Sequence, residues 1–224
     1  MSSITLTTWG HAGVRLERDG RVLVVDPGTF TDPRILDGAD AVLITHEHVD
    51  HLDVPRVAAA LAADPRLELW APRPVVDQLA EHLDGAGVPA DRLHVVAGGD
   101  TFTASGFALQ ALGSRHETIH PEMPLPENVA YLVDGVVLHP GDSFTPAPEG
   151  TSVQVLALPV AAPWLKLAES VEYVRRVAPQ VAVPIHDAIL SDAGRALADR
   201  VVGGLGGVDY RRLAPGESLE VPTR

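Results

Sequence analysis

Three histidines and two acids fall within seven residues, Thr45-His46-Glu47-His48-Val49-Asp50-His51, directly after an unbroken apolar run, Ala41-Val42-Leu43-Ile44. Such a run reads as a strand buried on both faces. Beyond the polar segment, Val54 to Ala63 reads as a helix, with Pro55 allowed in its first turn. The segment is therefore a loop at the carboxyl end of a buried strand, where open α/β sheets place their sites. Imidazole suits zinc and other borderline metals, and carboxylate adds a harder ligand. A tight loop can aim alternate side chains at one point, which leaves Glu47 and Val49 facing away. The bland alternative is a solvated loop, but the chain has 10 histidines in 224 residues. Three in this order are not expected by chance.

The rest of the chain supplies the frame. Residues 4–8, 13–17 and 21–25 read as strands, with turn signals at Arg18-Asp19-Gly20 and Asp26-Pro27-Gly28. Leu67 to Trp70 is a strand and Pro74 to Leu83 a helix stopped by Gly85. Strands follow near 93–96, 101–103 and 106–112. Val129 to Val133 and Val136 to His139 flank Asp134-Gly135, a strong hairpin signal. Val153 to Leu158 and Val181 to Ile185 are strands. Leu165 to Val177 is an amphipathic helix, and Ile189 to Val202 a last helix closed by Gly203-Gly204. Runs of strands that then alternate with helices, twice over, predict an α/β protein with two sheets and helices outside. No linker interrupts residues 1–224, so one domain is expected. The Pro-rich stretch Pro121 to Pro126 reads as an ordered loop or lid.

Composition narrows the function. The chain has no cysteine, which excludes disulfides, thiolate metal sites and a cysteine nucleophile. A formal net charge of −13 argues against a nucleic-acid partner, which usually demands a basic face. The first twenty residues lack the basic start and apolar core of a signal peptide. No apolar run nears the roughly 20 residues that span a bilayer. A cytoplasmic enzyme acting on a small molecule, away from membranes, is the expectation. Oligomeric state leaves no trace in the sequence.

His46-x-His48-x-Asp50-His51 matches the HxHxDH signature of the metallo-β-lactamase-fold superfamily in full, and the chain resembles that family over residues 9 to about 190. The resemblance implies a four-layer αβ/βα sandwich of two mixed sheets. It implies two divalent metal ions, zinc first, with manganese or iron also used by such cages. It assigns His46 and His48 to one metal, and Asp50 and His51 to the other. His116, after the strand at 106–112, would complete the first site, with His120 as its rival. Asp142, in Gly141-Asp142, would bridge both metals. His186, after the strand at 181–185, would complete the second site.

Five further residues have two readings each. His11, in Trp9-Gly10-His11-Ala12-Gly13, either orients a metal ligand or is a satisfied buried histidine. Asp26 resembles the family's strand-end Asp that braces the metal loop, or simply forms a turn. His120 would be a substrate or ligand contact if His116 is the ligand. Trp164 and Lys166 either meet an anionic or aromatic substrate group or mark a helix start. His82, His94 and His139 carry no motif and are taken as surface or packing residues.

The resemblance implies a dinuclear hydrolase in which the metals polarise a water or hydroxide that attacks an ester, lactone or phosphodiester. Asp50 would orient that nucleophile while Asp142 holds the metals together. Within the family the chain is most similar to the small ascorbate-phosphate lactonase-like group. The alternatives are an iron-dependent oxidoreductase in the same cage, and a metal-binding domain without catalysis.

Overall fold

Asp19-Gly20, Ser105-Gly106 and Asp134-Gly135 each place two consecutive residues at positive φ, between 48° and 79°. Paired positive φ is the two-residue hairpin turn whose twist matches the strands it joins. These turns organise a computed structural model that describes residues 3–223. The first half contains β1 (Ser3–Thr8), β2 (Val14–Arg18), β3 (Arg21–Val25), β4 (Ala41–Leu43), α1 (Val54–Ala63), β5 (Glu68–Ala71), α2 (Arg73–His82) and β6 (Leu93–Val95). The second contains β7 (Thr101–Ala104), β8 (Phe107–Leu112), β9 (Ala130–Val133), β10 (Val137–His139), β11 (Val155–Pro159), α3 (Leu167–Val177), β12 (Val181–Ile185) and α4 (Asp192–Leu205). Two short strands close the chain, β13 (Asp209–Tyr210) and β14 (Ser218–Pro222).

The two halves build sheets of the same design. One runs β14-β1-β2-β3-β4-β5-β6 and the other β13-β12-β11-β10-β9-β8-β7. In each, a run of antiparallel strands gives way to parallel ones, at β3 in the first sheet and β10 in the second. The middle layer of the core, with Leu6, Leu16, Val25, Phe107, Tyr131 and Ile185, lies between the sheets. Val57, Leu61, Val75 and Leu79 seal α1 and α2 onto the first sheet. Val171, Val174, Ala198 and Val202 seal α3 and α4 onto the second. The result is the expected four-layer sandwich.

Three details depart from the sequence reading. The last helix starts at Asp192, because the Ser191 hydroxyl caps it by accepting from the Gly194 N–H at 3.2 Å. It also runs through Gly203-Gly204 to Leu205. A helical glycine costs only about 1 kcal/mol relative to Ala, so the pair does not end it. Finally, β13 and β14 were not expected. β14 is an edge strand paired with β1, Ile4 opposite Val221, whose alternate residues Leu219 and Val221 turn into the core, too short a pattern to stand out.

Parallel strands bring their carboxyl ends to one rim of each sheet. Asp26 follows β3, the histidine loop follows β4, Asp142 follows β10 and His186 follows β12. The sandwich thus gathers residues from both halves onto one rim.

Candidate metal centre

Among the described residues, seven other than glycine have positive φ: His11, Asp19, Asp26, Ser105, Asp134, Ala178 and His186. Three of them open the hairpin turns above, and Ala178 caps α3. The remaining three, His11, Asp26 and His186, converge on the rim. Left-handed backbone outside glycine costs of order 1–3 kcal/mol and persists where the surroundings enforce it.

Two groups of metal-competent side chains sit there. His46, His48, His116 and Asp142 form one, and His11, Asp50, His51 and His186 the other, with ligand atoms in each group within 4.8 Å of one another. Asp142 faces both: Oδ2 lies 3.2 Å from His116 Nε2, and Oδ1 lies 3.1 Å from His51 Nε2. His186 Nε2 is 3.2 Å from Asp142 Oδ2 and 3.3 Å from Asp50 Oδ2. His46 Nε2 and His48 Nδ1 are 3.1 Å apart, close to the roughly 3.3 Å that a tetrahedral zinc with bonds near 2.05 Å sets between nitrogens. All seven proposed ligands therefore meet. His120 does not; it is exposed, and its Nδ1 accepts from the Glu122 N–H.

The donor set fits a cation. His51 Nε2, His116 Nε2, His186 Nε2 and Asp142 Oδ1 are buried without a hydrogen-bond partner. An unmet buried polar atom costs about 1–3 kcal/mol, so four aimed at one space call for something that accepts their lone pairs. The opposite edges of these rings show that the lone pairs face inward. His186 Nδ1 is 2.5 Å from Ala161 O, and His116 Nδ1 2.5 Å from Glu117 O. His51 Nδ1 is 2.7 Å from the Asp26 carboxylate. Thr45 donates its hydroxyl to Asp26 at 2.7 Å, which leaves its oxygen to accept from His46 Nδ1 at 3.0 Å. Each Nδ1 donates to the protein, so each Nε2 is the atom left to present a lone pair once a cation displaces its proton.

His11 is built the other way round. Its Nδ1 accepts the Ala188 N–H at 3.3 Å, so the proton sits on Nε2, which donates to Asp50 Oδ2 at 3.0 Å. His11 thus grips the Asp50 carboxylate as a hydrogen-bond donor and has no free lone pair to offer. Fully buried Asp26 also accepts the Thr45 N–H at 2.8 Å, tying the β3 end to the histidine loop.

Two contributors, Asn128 and His139, escaped the sequence reading, and a third, Trp164, was singled out there without its partner. Asn128 is fully buried; its Oδ1 accepts the Asp142 N–H at 3.0 Å and its amide donates to Pro140 O. His139 is a buried strap, donating through Nε2 to Ala12 O at 2.9 Å. Trp164 donates its indole N–H to Asp142 Oδ2 at 2.9 Å. No local pattern marks these residues, since each acts on a residue distant in the chain. Lys166 stays exposed at the start of α3, outside both groups. His94 stacks on Trp70, with ring centroids 4.5 Å apart. The indole bond to Asp142 has a measurable consequence: Trp164→Phe is expected to weaken metal retention about tenfold, read by competition with a chelator.

Burial opposes every charge in the centre, and the net shifts divide the rings. Burial, then the nearby His51 charge, pushes His46 well below its ordinary value. Burial and the His116 charge lower His48 too. His51 is raised well above its ordinary value, because the charges of Asp142 and Asp26 outweigh its burial. The adjacent Asp142 and Asp50 carboxylates overcome burial to lift His186 to about 9. His51 and His186 therefore hold protons near pH 7 until a cation displaces them. Zinc titration near pH 7.5 is expected to release protons and to weaken as pH falls. Calorimetry in buffers of different ionisation heat counts them, and loading without release would contradict the assignment.

Residues 5–186 match the family model described as a beta-lactamase superfamily domain. Protein Rv0786c of Mycobacterium tuberculosis is 41% identical over 199 residues, 86% of this chain and 88% of that protein. A UPF0173 metal-dependent hydrolase of Aeropyrum pernix is 29% identical and covers 96% of both chains. A probable L-ascorbate-6-phosphate lactonase of Escherichia fergusonii is 33% identical over 133 residues, 56% of this chain and 36% of that protein. The solved structure of Igni18, a metallo hydrolase of Ignicoccus hospitalis, superposes with a TM-score of 0.73 at 20% identity, covering 99% of this chain and all of the other. The chain belongs to the beta-lactamase superfamily, with the metallo-β-lactamase fold. Within it, this is a metal-dependent hydrolase.

Proposed function

We propose that the centre holds two divalent cations, zinc foremost, and that the protein hydrolyses an ester, lactone or phosphodiester of a small molecule. One observation carries the reading: two groups of mostly buried ligands, four of their atoms without partners, meet at the Asp142 carboxylate. His46, His48 and His116 would hold one cation; Asp50, His51 and His186 the other; Asp142 would serve both. Cations there supply Lewis acidity and lower the pKa of water to about 7.

The protein's own residues do the rest. His11 fixes Asp50 through its Nε2–H, and Asp50 is the more accessible carboxylate, with 22% of its side chain exposed against 3% for Asp142. Asp50 is thereby placed to orient an attacking water, and Asp142 to hold the centre together. Asp26 and Thr45 lock His51 and His46 in one tautomer. The similarity to the lactonase supports a lactone or another ester as substrate.

The test is a screen of the full chain over lactones, phosphodiesters and thioesters, before and after chelation. Activity is expected to vanish with the metal and to return with zinc. Hydrolysis that survives metal removal would falsify the reading, and oxygen uptake with iron would replace it.

A further inference from the structure

His11 has a second face. Its Nε2 grips Asp50, and the residue stands in the wall of a cavity of about 580 Å³, its ring buried between that cavity and Asp50. The cavity lies between the β1–β14 side of one sheet and the start of α4, within the 300–1,000 Å³ range of small-molecule sites. Phe30, Pro184, Ala188, Leu213, Ala214 and Pro215 supply its apolar wall. Phe30 is 53% exposed at the mouth, its ring 5.3 Å from that of His11. An occupant would be one side chain away from Asp50.

The charged groups in the wall are already matched to one another. Arg212 pairs with Asp187 and, at 2.7 Å, with Asp199. Arg195 sits 3.6 Å from both Asp187 and Asp192. Glu217 accepts the Ala214 N–H at 2.9 Å. Three acids pair with the two guanidiniums and Glu217 adds a fourth negative charge, so an anionic tail meets no spare positive charge. A cationic tail would have to break existing pairs. The surface left for contact is mostly apolar.

We infer that this cavity takes an uncharged, apolar substituent of the substrate, an alkyl chain or ring carried by the ester or lactone. The inference rests on the hydrolytic reading and narrows it: substrates bearing a phosphate or carboxylate on that substituent are disfavoured.

The test uses the zinc-loaded full chain with γ-lactones carrying methyl, butyl and octyl side chains, and one with a phosphorylated side chain. kcat/KM is expected to rise about fourfold per methylene until the cavity is full. The phosphorylated lactone should be the poorest substrate. Ala214→Trp, on the exposed rim, fills the cavity and should collapse the octyl-to-methyl ratio towards one; Phe30→Ala should lower it. A turnover-free measurement accompanies these: 1-octanol titrated into isotope-labelled protein should saturate shifts of the Ala188 and Ala214 amides. Octanol binding without hydrolysis of any lactone here or of any ester in the wider screen would uphold the cavity and sink the hydrolytic reading. Hydrolysis without chain-length preference or octanol shifts, or a preference for the phosphorylated lactone, would overturn the cavity assignment.

Discussion

Asp142→Ala is expected to empty both halves of the centre and to lower kcat/KM by about a thousandfold or more. The size follows from what the carboxylate touches. One oxygen lies 3.1 Å from His51 Nε2, and the other 3.2 Å from His116 and His186. Among the described residues, no other side chain faces donors from both groups in this way. Lewis-acid assistance is worth several kcal/mol, and each 1.4 kcal/mol is tenfold in rate. Metal content per chain and kcat/KM should fall together while the circular dichroism of the sandwich is retained. Asp142→Asn keeps the volume and removes the charge, so it separates ligand loss from a packing defect. A variant retaining two tightly held metals would refute the shared role of Asp142.

Gly28→Ala is expected to cripple the centre without touching a ligand. A Cβ on Gly28 would lie 1.9 Å from Asp50 O and 2.6 Å from His51 N. Those atoms are backbone and cannot rotate away. The two segments are also stitched together, Thr29 N–H to Val49 O at 2.9 Å and Asp53 N–H to Pro27 O at 3.2 Å. Overpacking of this kind costs about 1–3 kcal/mol, or a drop in Tm of roughly 2–12 °C for a chain of this size. Because the displaced backbone carries Asp50 and His51, metal affinity should fall as well. Gly204→Ala is the contrast: its Cβ meets nothing within 4 Å in α4, and the change should stabilise by about 0.4–1 kcal/mol. Thermal melts of both variants, with and without zinc, check the pair.

Much of this centre was legible in the sequence where the signal is local. The histidine loop packs four candidate ligands into six residues, and the strand before it is unmistakably apolar. Asp134-Gly135 announces its hairpin because both residues must take positive φ. Relations across the fold were not legible. His11 and Asp50 are 39 residues apart, and the tautomer that makes His11 a donor depends on Ala188, which is 177 residues away. Asn128 and Trp164 act on Asp142 over 14 and 22 residues. The turn-forming character of Gly28 could be read, but not its contact with the Asp50 backbone. β14 escaped because an edge strand needs apolar residues on one face only, and its partner is the opposite end of the chain.

The most direct measurement is anomalous diffraction from zinc-loaded crystals at the metal edge. Two peaks are predicted, about 3.5–4 Å apart, on either side of Asp142. One should lie about 2.0–2.2 Å from His46, His48 and His116, the other at that distance from Asp50, His51 and His186, with His11 bonded to Asp50 and Ala188 and to neither metal. A single peak, or peaks away from Asp142, would contradict the dinuclear centre.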